Sequence, residues 1–226
     1  NFTELGLYST ALIVIKLFNV IQSGFTTFWV PVAYEKYAKE PENKEFFNLF
    51  FNYISLIMFF VAISVLMGKD LITFVLGEKY KEASSIIPCL VFMPVMYTIS
   101  ETTVLGINFL KKTKFHIIIS LLVSIFNIIG NIILVPKFNA VGAAISTGVA
   151  YILFFILRTN IAKKLINLKR VYILSILLFL YALFLSFYNN ILYSTLIGML
   201  LLLILIILYI NEIKIALKEI IFFIKK

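Results

Sequence analysis

Two long apolar segments joined by a short connection make up the stretch from His116 to Ile161. The first segment, about 20 residues from His116 to Val135, contains no acidic residue and no lysine. A helix of about 20 apolar residues crosses the ~30 Å hydrocarbon core of a bilayer. Because the connection consists only of residues 136–139, we expect the two segments to form an antiparallel helical hairpin within a membrane.

Polar and small side chains follow helical spacing in both segments of this hairpin. In the first segment, four polar residues at i, i+4, i+7 and i+11 share one helix face: Ser120, Ser124, Asn127 and Asn131. In the second, small residues recur at every fourth position, a spacing that lets helix backbones approach closely in lipid: Gly142, Ser146 and Ala150. The pattern predicts one helix that lines a polar cavity and a partner that packs closely against a neighbour.

The composition of the whole chain is that of a membrane protein. Hydrophobic residues make up 62% of the 226 residues and the mean hydropathy is +1.05, whereas soluble proteins contain about 45–50% apolar residues. The net charge of +9 would suggest a nucleic-acid partner in a soluble protein. Here the lysines lie between apolar segments, where positive charge sets topology. We therefore predict an all-α integral membrane protein that does not bind nucleic acid.

Positive charge also predicts the orientation of the chain. Fifteen of the 20 Lys and Arg residues lie on one side of the predicted segments and four on the other. Since positively charged connections stay in the cytoplasm, the C-terminus is predicted to be cytoplasmic and Asn1 to lie outside. Residues 211–226 are predicted to form an amphipathic cytoplasmic tail on the membrane surface. Seven segments are predicted to span the membrane, at about 8–32, 46–67, 84–110, 116–135, 140–161, 171–188 and 191–210.

The first segment carries a lysine among apolar residues. Lys16 has spanning sequence on both sides, and burying a lysine in a membrane costs about 3 kcal/mol even on lenient insertion scales. A lysine paired with a carboxylate or with helix carbonyls is one interpretation. The polar arc around Lys16 favours another, a hydrated cavity shared with the Ser120–Asn131 stripe. This arc consists of Tyr8, Ser9, Lys16, Asn19, Ser23 and Thr26, of which Lys16, Asn19 and Ser23 are predicted, with the stripe, to bind a substrate.

A second charge, Glu101, lies in the third segment on the same face as Pro94 and Tyr97. Pro88 and Pro94 are expected to kink this helix. A kinked helix with a buried acid is typical of a gating or ion-coupling element, so Glu101, Tyr97 and Pro94 are predicted to serve coupling to H⁺ or Na⁺. A structural partner for a tyrosine or lysine is the alternative. A direct salt bridge between Glu101 and Lys16 is not expected, because the two differ in depth by about 12 Å.

Three stretches resemble one transporter family. The run NIIGNIILVPKFNAVGAAIST at 127–147 resembles the asparagine-containing helix, proline turn and Gly-Ala-Ala helix of Wzx-type O-antigen flippases, which belong to the multidrug/oligosaccharidyl-lipid/polysaccharide exporter superfamily. LGLYSTALIVIK at 5–16 and VLGEKYKEASSIIPCL at 75–90 resemble the same family in the same order. The resemblance implies that residues 1–161 belong to a C-terminal transport lobe whose first helix lies upstream. Residues 162–210 would then be two peripheral spanning helices.

The resemblance also implies a function. Such proteins flip an undecaprenyl-pyrophosphate-linked oligosaccharide across the bacterial inner membrane, in polysaccharide or lipopolysaccharide biosynthesis, by rocking of two lobes. The expected partners are the lipid-linked oligosaccharide, membrane lipid, the N-terminal lobe and the polysaccharide polymerase machinery. The alternatives are a cation-coupled exporter of the same superfamily, a membrane-embedded glycan polymerase or acyltransferase, and a passive assembly subunit. The chain begins without methionine, and we expect it to be a piece of a longer protein.

Catalytic motifs are missing from the sequence. It contains no glycine-rich phosphate loop, no His/Cys/Asp cluster with metal-ligand spacing and no GxSxG motif. A polymerase or acyltransferase would be expected to expose a long outer loop with His or Arg, and the largest predicted outer loop has neither. We therefore expect a transporter that is not an enzyme and has no cofactor other than a coupling ion.

Overall fold

The chain is helical throughout the part that the structure describes. The structure is a computed structural model that describes residues 2–41, 43–109, 111–161, 168–188 and 190–224, and no β-strand occurs among them. A 3₁₀ helix, Glu78–Ser85, lies between the fourth and fifth α-helices. The α-helices are α1 (Phe2–Lys16), α2 (Phe18–Lys39), α3 (Lys44–Met67), α4 (Lys69–Leu76), α5 (Ile87–Leu90), α6 (Phe92–Phe109), α7 (Lys114–Ile161), α8 (Lys169–Phe187), α9 (Ile191–Leu208) and α10 (Ile210–Ile224).

Six helical stretches of the described chain are long and apolar enough to cross a membrane, against seven predicted segments. The fourth stretch, Lys114–Asn160, contains two of the predicted segments because α7 turns back at Asn139, where φ is 49° and ψ is −131°. The Ser146 hydroxyl donates to the Asn127 carbonyl oxygen at 2.9 Å across 19 residues, which a straight helix would separate by about 28 Å. Helix α7 is therefore an antiparallel hairpin with arms 114–138 and 140–161. The predicted all-α membrane architecture is confirmed.

Two of the spanning stretches each combine two of these helices. Leu17 joins α1 to α2 with α-helical dihedral angles (φ −61°, ψ −30°). Val91 joins α5 to α6 in the same way (φ −56°, ψ −28°), and its N–H donates to the Ile87 carbonyl oxygen at 3.1 Å. The helix therefore continues past Pro88 and Pro94, and the kink expected at this proline pair stays a prediction.

Helix α2 continues past the predicted end of its segment. Its last turns are polar, and ion pairs one turn apart stabilise them: Lys36 contacts Glu40 at 2.8 Å, and Lys39 contacts Glu35 at 2.6 Å. The hydrogen bond from Lys36 lowers the pKa of the exposed Glu40 carboxyl. Local charge pairing thus extends the helix beyond the apolar window from which its length was predicted.

Burial divides the bundle into a centre and an edge. In the stretch Ile87–Phe109, 83% of the spanning window is buried, whereas an 18-residue window of Lys114–Asn160 is only 6% buried. The first arm of α7 is mostly exposed, but residues of the second arm such as Ala144 and Phe155 are buried. The central helix α6 packs against α2, α3 and α7, and α8 and α9 contribute Leu178 and Leu201 to the main hydrophobic cluster. The first arm therefore lies at the edge of the bundle with much of its surface open, and the second arm packs into the bundle.

Candidate functional site

Most of the predicted polar stripe lines a cavity between α6 and the two arms of α7. This cavity, the Ser124 cavity, has a volume of about 450 Å³, within the range of ~300–1,000 Å³ that is usual for small-molecule sites. Ser120, Ser124 and Asn127 lie on its wall. No charged residue is among the described residues that line it. The rest of its polar and aromatic wall consists of Thr147, Tyr97, Tyr151 and Phe154.

Asn127 holds the two arms of the hairpin together. Its Nδ2 atom donates to the hydroxyls of Ser146 at 3.3 Å and Thr147 at 3.4 Å, and its Oδ1 atom accepts from Asn131 Nδ2 at 3.1 Å. Both hydroxyl acceptors belong to the second arm. A polar side chain in a membrane interior is stabilised when its hydrogen bonds are made across helices, so Asn127 has a structural role in addition to lining the cavity.

Asn131 lines a second cavity, the Asn131 cavity, which has a volume of about 540 Å³ and lies between α1 and the turn of α7. Tyr8 and Glu4 of α1 also line it. The Tyr8 hydroxyl lies 3.3 Å from the Thr147 hydroxyl, and a Glu4 carboxylate oxygen accepts from the Ala140 backbone N–H at 3.2 Å. A carboxylate at the start of the second arm is favourable because the N-terminus of a helix carries partial positive charge. The Asn131 Oδ1 atom is buried and has no hydrogen-bond partner in the described chain.

Lys16 is exposed at the last residue of α1, on the face opposite the buried Ala11 and Ile15. It lines neither the Ser124 cavity nor the Asn131 cavity. The shared cavity expected from the sequence is therefore not formed by these helices alone. Ser23 is also exposed, and its hydroxyl donates to the Val20 carbonyl. The side chain of Asn19 lies outside what the structure describes.

Glu101 forms an ion pair that the sequence interpretation did not include. The Arg158 guanidinium contacts a Glu101 carboxylate oxygen at 2.9 Å and donates to the Ser100 hydroxyl at 2.8 Å. Both members of the pair are buried, and Arg158 also lies over the rings of Tyr97 and Phe154. The ion pair with Arg158 favours the alternative interpretation, in which Glu101 has a structural role. Its partner is an arginine rather than the tyrosine or lysine that this alternative named. The predicted coupling role of Glu101, Tyr97 and Pro94 stays a prediction.

The small residues of the second arm lie at close helix contacts. A Cβ atom added at Gly142 would lie 2.4 Å from the carbonyl oxygen of Leu134 in the first arm. Ser146 is buried and fills the space opposite Gly130, where an added Cβ atom would clash with the serine hydroxyl. Ala150 is buried on the wall of the Ser124 cavity. The spacing of these residues thus sets the separation of the two arms.

A further buried polar cluster lies where α10 meets the bundle. Glu212 of α10 accepts from Arg170 of α8 at 2.7 Å and from the Asn52 amide of α3 at 3.0 Å. Tyr209, whose hydroxyl is buried without a partner in the described chain, lies against the Arg170 guanidinium. This cluster anchors the amphipathic tail helix on the spanning helices.

The sequence contained signals for several of these residues. Arg158 is a charge of opposite sign to Glu101 inside another apolar segment, but in the sequence analysis it is only one of the fifteen positive residues that indicate topology. Thr147 lies one position after Ser146 and therefore belongs to the same arm, but it is not one of the small residues spaced four apart. Glu4 precedes the apolar window and carries no helical pattern, so its contact with Ala140 depends on tertiary structure.

The arrangement of the two cavities provides groups that can bind a polar molecule. Among the described residues, no group of three or more His, Cys, Asp or Glu side chains is placed to hold a metal ion. The two cavities offer hydroxyls, amides and aromatic rings within the spanning part of the bundle. Such walls bind a polar molecule inside a membrane.

Comparisons with known proteins give one informative result. No family model matches the sequence, and a search of curated proteins finds no match. Among solved structures, the chain is similar to the lipid II flippase MurJ in its inward closed conformation, with a TM-score of 0.61 and 22% sequence identity. The match covers 93% of this chain and 50% of that chain, so the chain spans about half the length of MurJ. The described helices therefore have the fold of half of this flippase.

Proposed function

We propose that the chain is one transport lobe of a flippase for a lipid-linked saccharide. In this proposal the substrate is an undecaprenyl-pyrophosphate-linked oligosaccharide, and the protein moves it across the bacterial inner membrane by alternating access. The other lobe, membrane lipid and the polysaccharide polymerase machinery are its partners. The observation that carries the proposal is the pair of polar cavities along the α7 hairpin, within a fold shared with half of a lipid II flippase.

The position of Lys16 supports a role in binding the pyrophosphate. Lys16 is exposed on the bundle surface and forms no ion pair with a residue of the described chain. In this proposal the chain is half of a transporter, so a face exposed in this half is available to the path between two lobes. An ammonium is a compact point charge that suits a phosphate oxygen. We therefore assign the pyrophosphate to Lys16, with Asn19 and Ser23 in the following turns.

The cation-coupled exporter is less well supported. A carboxylate that binds a drug cation or coupling ion has to be available to it, whereas Glu101 is occupied by Arg158. Coupling to H⁺ or Na⁺ stays part of the proposal only if the Glu101–Arg158 pair opens during transport. A glycan polymerase or acyltransferase gains no support from the Ser124 cavity, whose described lining contains hydroxyls but no carboxylate, histidine or lysine to act as a general base.

The test is translocation by the full-length protein in proteoliposomes. The probe is undecaprenyl pyrophosphate carrying a labelled N-acetylglucosamine, and the readout is the rate at which the label becomes accessible to a membrane-impermeant enzyme. The wild type is expected to accelerate translocation, Lys16→Ala to abolish it and Lys16→Arg to retain part of it. Lys218→Ala, an exposed lysine of the tail helix, is the matched control and is expected to behave as wild type. Absence of acceleration by the wild type would contradict the proposal.

A further inference from the structure

The Ser124 cavity contains hydroxyl groups that the protein itself does not use. Serine and threonine residues in these helices commonly donate to a carbonyl of their own helix, as Thr98, Thr102 and Ser175 do. The hydroxyls of Ser120, Ser124 and Tyr151 make no hydrogen bond to a described residue, although all three line the cavity. Each is therefore available as both donor and acceptor to a molecule within it.

Aromatic rings make up the other part of the wall. Tyr97 and Phe154 stack with their planes 10° apart and their centroids 5.8 Å apart, and Tyr151 meets Phe154 edge-on at 6.0 Å. The C–H face of a sugar ring packs against an aromatic ring, while its hydroxyls require donors and acceptors. The cavity combines both requirements in a volume of about 450 Å³.

Charge in and around the Ser124 cavity disfavours a phosphate. No described lining residue is charged. The nearby cation, Arg158, is buried, ion-paired with Glu101 and covered by the rings of Tyr97 and Phe154. The neighbouring Asn131 cavity carries the Glu4 carboxylate, which repels an anion. A pyrophosphate transferred into the uncharged Ser124 cavity would lose its hydration without gaining a counter-charge.

We propose that the Ser124 cavity is a saccharide subsite that binds a neutral sugar ring and excludes the pyrophosphate. This inference rests on the proposed function and assigns the sugar and the pyrophosphate of its substrate to two separate sites. The sugar contacts Ser120, Ser124 and Tyr151, and the pyrophosphate lies outside the cavity, at Lys16. The stripe and the lysine, which the sequence assigned to one cavity, therefore recognise different parts of one substrate.

The experiment compares two lipids and two variants in equilibrium binding to the full-length protein in detergent. One lipid is undecaprenyl pyrophosphate, and the other is undecaprenyl pyrophosphate carrying N-acetylglucosamine. The first variant, Ser120→Ala/Ser124→Ala/Tyr151→Phe, removes only hydroxyls that make no internal hydrogen bond, so the fold should persist. The second is Lys16→Ala. Thermal unfolding of each variant checks that it is folded.

The wild type is expected to bind both lipids, and the sugar-bearing lipid more tightly. The triple variant is expected to weaken binding of the sugar-bearing lipid at least about tenfold and to leave binding of the sugar-free lipid unchanged, since three lost hydrogen bonds at about 0.5 kcal/mol each, the lower end of their usual range, already amount to about tenfold. Lys16→Ala is expected to weaken the binding of both lipids by a similar factor. Equal effects of the triple variant on the two lipids, or no effect on either, would overturn the saccharide subsite while the proposed function stands. Failure of the wild type to bind either lipid would overturn the proposed function and this inference together.

Discussion

Substitution of Gly142 by alanine tests whether the two arms of α7 are in direct backbone contact. A Cβ atom at this position would lie 2.4 Å from the Leu134 carbonyl oxygen and 2.6 Å from its carbonyl carbon. Both are backbone atoms of the first arm, so no side-chain rotation relieves the clash. The arms must separate, which also lengthens the hydrogen bonds between Asn127 and the second arm.

The expected magnitude follows from two opposing effects. Overpacking against a fixed neighbour costs about 3 kcal/mol at the upper end of its usual range, and alanine stabilises a helix by about 1 kcal/mol relative to glycine. The net loss for Gly142→Ala is about 2 kcal/mol, which lowers Tm by roughly 4–8 °C for a chain of this size. Gly24→Ala is the matched control, because nothing lies within 4 Å of an added Cβ atom there.

Thermal unfolding in detergent, followed by circular dichroism, measures the difference. Gly24→Ala is expected to leave Tm unchanged or to raise it slightly, because only the helix propensity changes. The Tm of Gly130→Ala is expected to lie between those of Gly142→Ala and Gly24→Ala, since its clash is with the Ser146 hydroxyl, which can rotate. A Tm for Gly142→Ala equal to or above that of Gly24→Ala would refute the close contact between the arms.

Other predictions concern the Glu101–Arg158 pair, the Glu212–Arg170 pair and the orientation of the chain. Arg158→Ala should destabilise the protein by roughly 3–5 kcal/mol because it leaves Glu101 buried and unpaired, and Arg158→Leu/Glu101→Leu should be less damaging; thermal unfolding of both variants distinguishes a paired from an unpaired Glu101. Glu212→Gln should remove the ion pair that holds α10 to Arg170 and speed tryptic cleavage at Lys214 and Lys218, whereas Glu219→Gln, at an exposed position two turns further along the same helix, should leave cleavage unchanged. In sealed right-side-out vesicles, a cysteine in place of Lys81 should react with an impermeant thiol reagent and one in place of Lys112 should not; the reverse result would invert the predicted topology.

Helix positions were predictable where hydrophobicity and chain breakers decide them. The spanning stretches are set by apolar length. The turn of α7 falls at Asn139, within the predicted four-residue connection. Each of these features depends on residues close together in the chain.

Side-chain partners were less predictable because they depend on how distant helices meet. The structural alternative for Glu101 gave it a tyrosine or lysine partner, whereas the partner is Arg158, 57 residues further along the chain. Lys16 and the Ser120–Asn131 stripe were expected to share a cavity, but α1 turns Tyr8 toward the hairpin and Lys16 away from it. Helical periodicity identifies a polar face, and it does not identify the element that the face meets.

If the stripe of α7 faces water along a substrate path, a cysteine on the stripe reacts with a hydrophilic thiol reagent. Cys89 is the single cysteine of the chain and is buried, so Cys89→Ala, with every cysteine outside this chain also replaced, provides a background for single cysteines in the full-length protein. Ser124→Cys lies on the stripe, and Ile129→Cys is the matched exposed control about 140° around the same arm.

A hydrophilic thiol reagent added to both sides of the membrane is expected to label Ser124→Cys rapidly and Ile129→Cys hardly at all. Undecaprenyl pyrophosphate carrying N-acetylglucosamine should slow the labelling of Ser124→Cys. If Ile129→Cys reacts as fast as Ser124→Cys, or if Ser124→Cys does not react, the stripe faces lipid and the transport path does not pass along it.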